Sequence, residues 1–111
     1  MIRRQPVVEE NVLSFADISL NRDDYTLNGP KGSLRLANKE FQMMEMMMRK
    51  HGQLISAERF MEQIWGYDSE SEINVVWVNI SGLRKKIAAL GGNAEIRAVR
   101  GAGYILGEKN A

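Results

Sequence analysis

The stretch NVVWVNISGLRKKI, Asn74 to Ile87, followed closely by IRAVRGAGYIL, Ile96 to Leu106, decides how this chain is read. In the first segment Val76, Ile80, Leu83 and Ile87 recur at helical spacing and Leu90 continues the row, so one side of a helix is bound for a core. The second segment predicts two short strands, Ile96 to Val99 and Tyr104 to Leu106, joined by a Gly101-Ala102-Gly103 turn. The local unit is a helix beside a slim, glycine-tipped hairpin.

Opposite the apolar row lie Asn74, Val78 and Lys85, with Val75, Ser81 and Gly82 close beside them. The middle of this face is small and partly apolar rather than densely charged, which suits close approach to base edges in a major groove. Asn74 can pair with an adenine edge, and Val75 and Val78 can pack on thymine methyls. Asn79 and Ser81 belong to the same reading set, and Gly82 is expected to remove bulk where the helix nears the groove wall. Arg84, Lys85 and Lys86 follow in the C-terminal half, placed for phosphates. Trp77 flanks the core sector and is expected to pack against it. On the hairpin, Arg100 stands beside a turn thin enough to lie along a minor groove, where the negative potential of narrow A·T-rich segments draws an arginine. Strand alternation puts Arg97 on the other side from Arg100 and gives it a separate, phosphate-side role.

Charge supports this division. From Ile73 to Gly107 five basic side chains face Glu95 alone, whereas residues 1–72 carry nine basic and twelve acidic ones, so a net charge of +1 conceals a basic C-terminal half. A length of 111 residues with 44% hydrophobic and 26% charged side chains fits one compact domain. No run approaches the roughly 18 apolar residues of a membrane span, and MIRRQPVVEE lacks the apolar core of a secretory signal, so a cytoplasmic location is expected. With no cysteine and a single His51, neither a disulfide nor a metal site is supplied, and no cofactor is expected. The absence of a phosphate loop or a clustered nucleophile and base argues against an enzyme.

Upstream of the helix, polar turn signals at Asn21 to Asp24 and Asn28 to Gly32 separate short runs at Val12 to Ile18, Tyr25 to Leu27 and Ser33 to Leu36, which predict an antiparallel meander. A helix from about Lys39 to Lys50 follows, with Phe41, Met44 and Met48 on a core face. Ser56 can cap a second helix carrying Phe60 and Ile64 inward and ending near Trp65 and Gly66. Ser69 and Glu72 have capping-box spacing ahead of the third helix, and Gly91 and Gly92 close it. The fold class is thus α+β: strands, three helices, then a hairpin.

The motifs LANKEF (Leu36 to Phe41), IWG (Ile64 to Gly66), LRKKI (Leu83 to Ile87) and VRGAGY (Val99 to Tyr104), in this order and spacing, resemble the OmpR/PhoB family, the winged helix-turn-helix output domains of two-component response regulators. The resemblance covers Val12 to Leu106 and implies a winged helix domain over residues 12–106, preceded by a linker or receiver-tail remnant over 1–11 and followed by a tail over 107–111. It implies that the third helix enters the major groove, that Arg100 reaches the minor groove, and that Trp65 and Tyr104 help hold the phosphate backbone. It further implies that the loop of Tyr67, Asp68, Ser69, Glu70, Ser71 and Glu72 meets RNA polymerase. The expected partner is double-stranded DNA carrying direct repeats, bound by a head-to-tail pair of domains that are monomeric alone. Control would come from phosphorylation of a receiver domain upstream, of which MIRRQ resembles the tail.

The chain departs from the family pattern at Ala37, where a capping threonine is usual, and at Trp77, Asn79 and Gly82, where aspartate, histidine or tyrosine, and arginine are frequent. These departures strike the outer face, so the sequence preference is expected to differ from that of relatives. A second reading, a winged-helix protein-interaction module without DNA affinity, draws on the missing arginine at Gly82, while Arg84, Lys85, Lys86 and Arg100 weigh against it.

Overall fold

A computed structural model of the chain describes residues 11–66 and 74–109. The expected loop from Tyr67 to Glu72 and its capping box lie outside the described residues.

The N-terminal part folds as an antiparallel sheet in the order β1 (Val12–Phe15), β2 (Ile18–Asn21), β3 (Thr26–Gly29), β4 (Gly32–Arg35). The single run expected over Val12 to Ile18 is corrected: it folds back on itself, with Phe15 paired to Ile18 across Ala16 and Asp17, and Ala16 takes φ 55°. No glycine or proline marks this turn. Asp17 serves the packing instead, its Oδ1 accepting the Asn93 backbone N–H at 2.7 Å. Ile18, Leu20 and Leu27 point inward and are buried.

Helix α1 (Asn38–Arg49) lies under the sheet. Its expected core face is wider than Phe41, Met44 and Met48, because Met43 and Met47 are fully buried as well. The helix packs against the sheet and also against a later helix, so neighbouring positions both find apolar partners. Tyr25 stacks flat on Phe41, with ring centroids 4.0 Å apart. At the N-terminus Ala37 offers no oxygen, and Asn38 does not replace it, since its Oδ1 accepts from Gln42 Nε2 at 3.1 Å. Glu40 supplies the reciprocal half of a capping box, accepting the Ala37 N–H at 3.0 Å.

Helix α2 (Ala57–Phe60) starts as expected at Ser56, whose hydroxyl oxygen accepts the Arg59 N–H at 3.0 Å, and continues as a π-helical turn over Met61–Trp65. Gly66, at φ 68°, ends it. Helix α3 (Asn74–Ala89) buries Val76, Ile80, Leu83 and Ile87. It closes in a Schellman turn: Gly92 N–H donates to Ile87 O at 3.1 Å and Gly91, at φ 71°, donates to Ala88 O at 3.0 Å. The Leu90 carbonyl is then taken by the Lys31 N–H at 2.9 Å, which docks the end of α3 onto the β3–β4 turn.

Strands β5 (Ala94–Val99) and β6 (Gly103–Glu108) form the C-terminal hairpin, with Ala98 opposite Tyr104 and Val99 opposite Gly103. The hairpin is fastened to the body by an antiparallel bridge between Ile55 and Tyr104, whose N–H and C=O groups exchange two bonds of 2.9 Å. Gly103 makes this approach possible, because a Cβ there would run into the Ile55 carbonyl. No helix among the described residues is long and apolar enough to cross a membrane.

Candidate nucleic-acid interface

Helix α3 is held from both flanks. On one flank Gly82 and Lys86 face Glu40 of α1: Lys86 Nζ donates to Glu40 Oε1, and a Cβ on Gly82 would lie 2.6 Å from Glu40 Oε2. Glu40 is only 9% exposed, so this carboxylate ties the start of α1 and the middle of α3 together inside the domain. On the other flank Arg84 donates from Nε and Nη2 to the Ile96 carbonyl, at 3.0 and 2.9 Å, and so fastens α3 to β5. Between the flanks the outer face carries Asn74, Val78 and Lys85, all exposed, with Val75, Asn79 and Ser81 half-buried.

Several expected site residues therefore have internal partners. Gly82, expected to spare the groove wall, leaves space that the Glu40 carboxylate fills. Lys86 and Arg84 engage Glu40 and Ile96. Arg97 donates from Nε to Glu95 Oε2 at 2.6 Å and from Nη2 to the Glu108 carbonyl at 2.8 Å, lying along the hairpin. Asn79 turns its Nδ2 back to the Val75 carbonyl at 2.8 Å. Among the basic groups proposed from sequence, Lys85 and Arg100 are the two with no partner in the chain among the described residues, and both are exposed.

Trp77 overturns a further expectation. It stands 58% exposed rather than packed, next to Val78 at 55%. The reason is its angular place: about 100° round the helix from Val76, it falls just past the buried row, on the flank that carries Arg84 rather than the one held by α1. Trp65 is half-buried, with Lys39 Nζ 5.7 Å from its ring and donating to the Ile64 carbonyl at 3.1 Å. Tyr104 is half-buried too, its ring tilted against Phe60 at 6.4 Å. Trp65 closes the π-helical turn and Tyr104 lies at the start of β6, both packed in part against the core.

Sequence reasoning did not single out Glu40 as a site-shaping residue. Its signal was present: a glutamate three residues after the helix-preceding Ala37 has capping-box spacing. What no one-dimensional pattern shows is that the same carboxylate meets Lys86, 46 residues away.

A sheet, three helices with the third laid open, and a hairpin pinned beside it define a winged helix domain. The family described as "Transcriptional regulatory protein, C terminal" matches residues 31–106. The chain belongs to this family, the OmpR/PhoB-type DNA-binding domains of response regulators. It is 37% identical over 107 residues to the transcriptional regulatory protein DltR of Streptococcus agalactiae, covering 96% of this chain and 48% of DltR. It is 32% identical over 104 residues to the heme response regulator HssR of Staphylococcus aureus, covering 94% and 46%. Among solved structures, the C-terminal domain of the nisin resistance regulator NsrR matches with TM-score 0.71 and 31% identity, over 84% of this chain and 94% of that one. The chain spans about half the length of the curated relatives it matches. It is a DNA-binding output domain of the response-regulator type, a class that regulates transcription and is not an enzyme class.

Proposed function

We propose that this domain binds specific double-stranded DNA sites with α3 in the major groove and the β5–β6 hairpin in the minor groove, and thereby regulates transcription in the cytoplasm. The observation that carries the reading is the double fastening of α3. With Glu40 on one flank and the Ile96 carbonyl on the other, the helix is a rigid rod whose remaining face presents Asn74, Val78 and Lys85 outward. Asn74, Val75, Val78, Asn79 and Ser81 supply base-edge contacts, Lys85 with Trp65 and Tyr104 holds phosphates, and Arg100 enters the minor groove. Arg84, Lys86 and Arg97 contribute mainly by shape and by field, since their donors are engaged within the fold.

At the level of the regulator, the domain acts as the output half of a receiver-controlled protein, pairs head to tail on direct repeats, is monomeric alone, and offers Tyr67 to Glu72 to RNA polymerase. Selection of bound duplexes from a random pool tests the reading. Enrichment of a shared motif, repeated in the same direction at a fixed spacing, is expected. Failure to enrich any duplex at low salt would contradict it and favour a protein-interaction module.

A further inference from the structure

Trp77 is the most exposed large hydrophobic side chain among the described residues, and it has no role in the packing of the fold. Its place on α3 is informative. One and two turns on, the same side of the helix carries Ser81 and then Arg84, and Arg84 reaches to the Ile96 carbonyl, so this is the flank that faces the hairpin. Trp77 thus stands at the border between the outward strip of Asn74, Val78 and Lys85 and the flank that faces the hairpin. When a helix sits in a major groove with a hairpin in the neighbouring minor groove, that border faces the sugar-phosphate ridge between the two grooves.

We propose that Trp77 is a DNA contact on this ridge, its ring lying on deoxyribose and its indole Nε1–H donating to a phosphate oxygen. This rests on the DNA-binding reading above. The chemistry fits one occupant: indole offers an apolar face and a single donor with no acceptor, and the ridge offers apolar sugar edges beside oxygens that only accept. The surrounding field fits it as well, with five basic side chains against one acidic from Ile73 to Gly107. Trp77 carries no charge, so it adds affinity without adding to the salt dependence and without reading sequence.

The test compares the wild-type domain with Trp77→Ala and Trp77→Phe on a duplex holding one selected site, with thermal unfolding of each variant measured in parallel. A hydrogen bond to a charged group is worth about tenfold in affinity, so Trp77→Ala is expected to weaken binding at least about tenfold. Trp77→Phe keeps a ring but loses the donor and should fall between. Base preference and the salt slope should match the wild type in both variants. Binding by Trp77→Ala within twofold of wild type would overturn the proposal, as would altered base preference on the single site. A loss seen only on tandem sites would also overturn it, placing Trp77 between protein copies. If wild-type domain bound no duplex, the DNA reading itself would fall with it; if it bound and the variants bound equally, only the Trp77 assignment would.

Discussion

Gly82 shows how a single residue takes part of its meaning from a neighbouring helix. On a helical projection it belongs to the outer half of α3, yet its vacant side-chain position is occupied by a carboxylate from another helix. Replacing a helix-interior glycine by alanine ordinarily stabilises a protein by about 1 kcal/mol. Here that gain should vanish, because the Cβ would displace Glu40 Oε2 and disturb the Lys86 and Ala37 bonds. In a Glu40→Ala background, the same Gly82→Ala change should recover its roughly 1 kcal/mol, measured as urea-unfolding free energies in a double-mutant cycle. Equal gains in both backgrounds would refute the packing of Glu40 against Gly82. Two other residues separate by role. Arg100→Ala should lower discrimination for A·T-rich flanks, whereas Lys85→Ala should weaken all duplexes alike, both read from binding to a panel of flank variants.

Among elements, the hairpin is held at its base by side chains, Ile96 and Leu106 in the core and Arg84 on the Ile96 carbonyl, and near its tip by a close backbone approach. Gly101 and Gly103 both have positive φ, at 74° and 152°, but only Gly103 lies against the Ile55 and Ser56 backbone. Gly101→Ala meets open space and should cost about 1 kcal/mol of backbone strain. Gly103→Ala should cost distinctly more, by about 2 kcal/mol or above, because the Ile55–Tyr104 bridge must open. Equal thermal destabilisation by the two would contradict this attachment. The order of elements was legible in the sequence wherever periodicity was strong: the apolar row of α3, the Ser56 cap and the Gly91-Gly92 stop all stand where the pattern puts them. The β1–β2 turn was not, since Ala16 and Asp17 carry no usual turn signal and a positive φ at Ala16 is imposed by the paired strands. Likewise, the exposure of Trp77 depends on how far the rest of the fold covers α3 beyond its buried row, which is a tertiary quantity.

Over the whole molecule, the fold gathers charge that the chain lays out unevenly. The sheet and the first two helices, residues 11–66, balance seven acidic against seven basic side chains, the acidic excess of residues 1–72 comes from Asp68, Glu70 and Glu72, and α3 and the hairpin carry the basic excess. The candidate interface was legible as a face but not as a list of free groups. Arg84, Lys85 and Lys86 looked equivalent along the sequence, yet Arg84 and Lys86, together with Arg97 on the hairpin, brace the structure that presents Lys85 and Arg100. The most direct check on the central claim is the affinity for a selected duplex as a function of salt concentration, for the wild type and for Lys85→Ala and Arg100→Ala. Each neutralised phosphate adds about 0.9 to the log-log slope, so wild-type binding should fall steeply with salt and the Lys85→Ala slope should be shallower by about 1, with Arg100→Ala shallower too. A wild-type slope near zero, or slopes unchanged by both substitutions, would contradict binding of duplex DNA through this face.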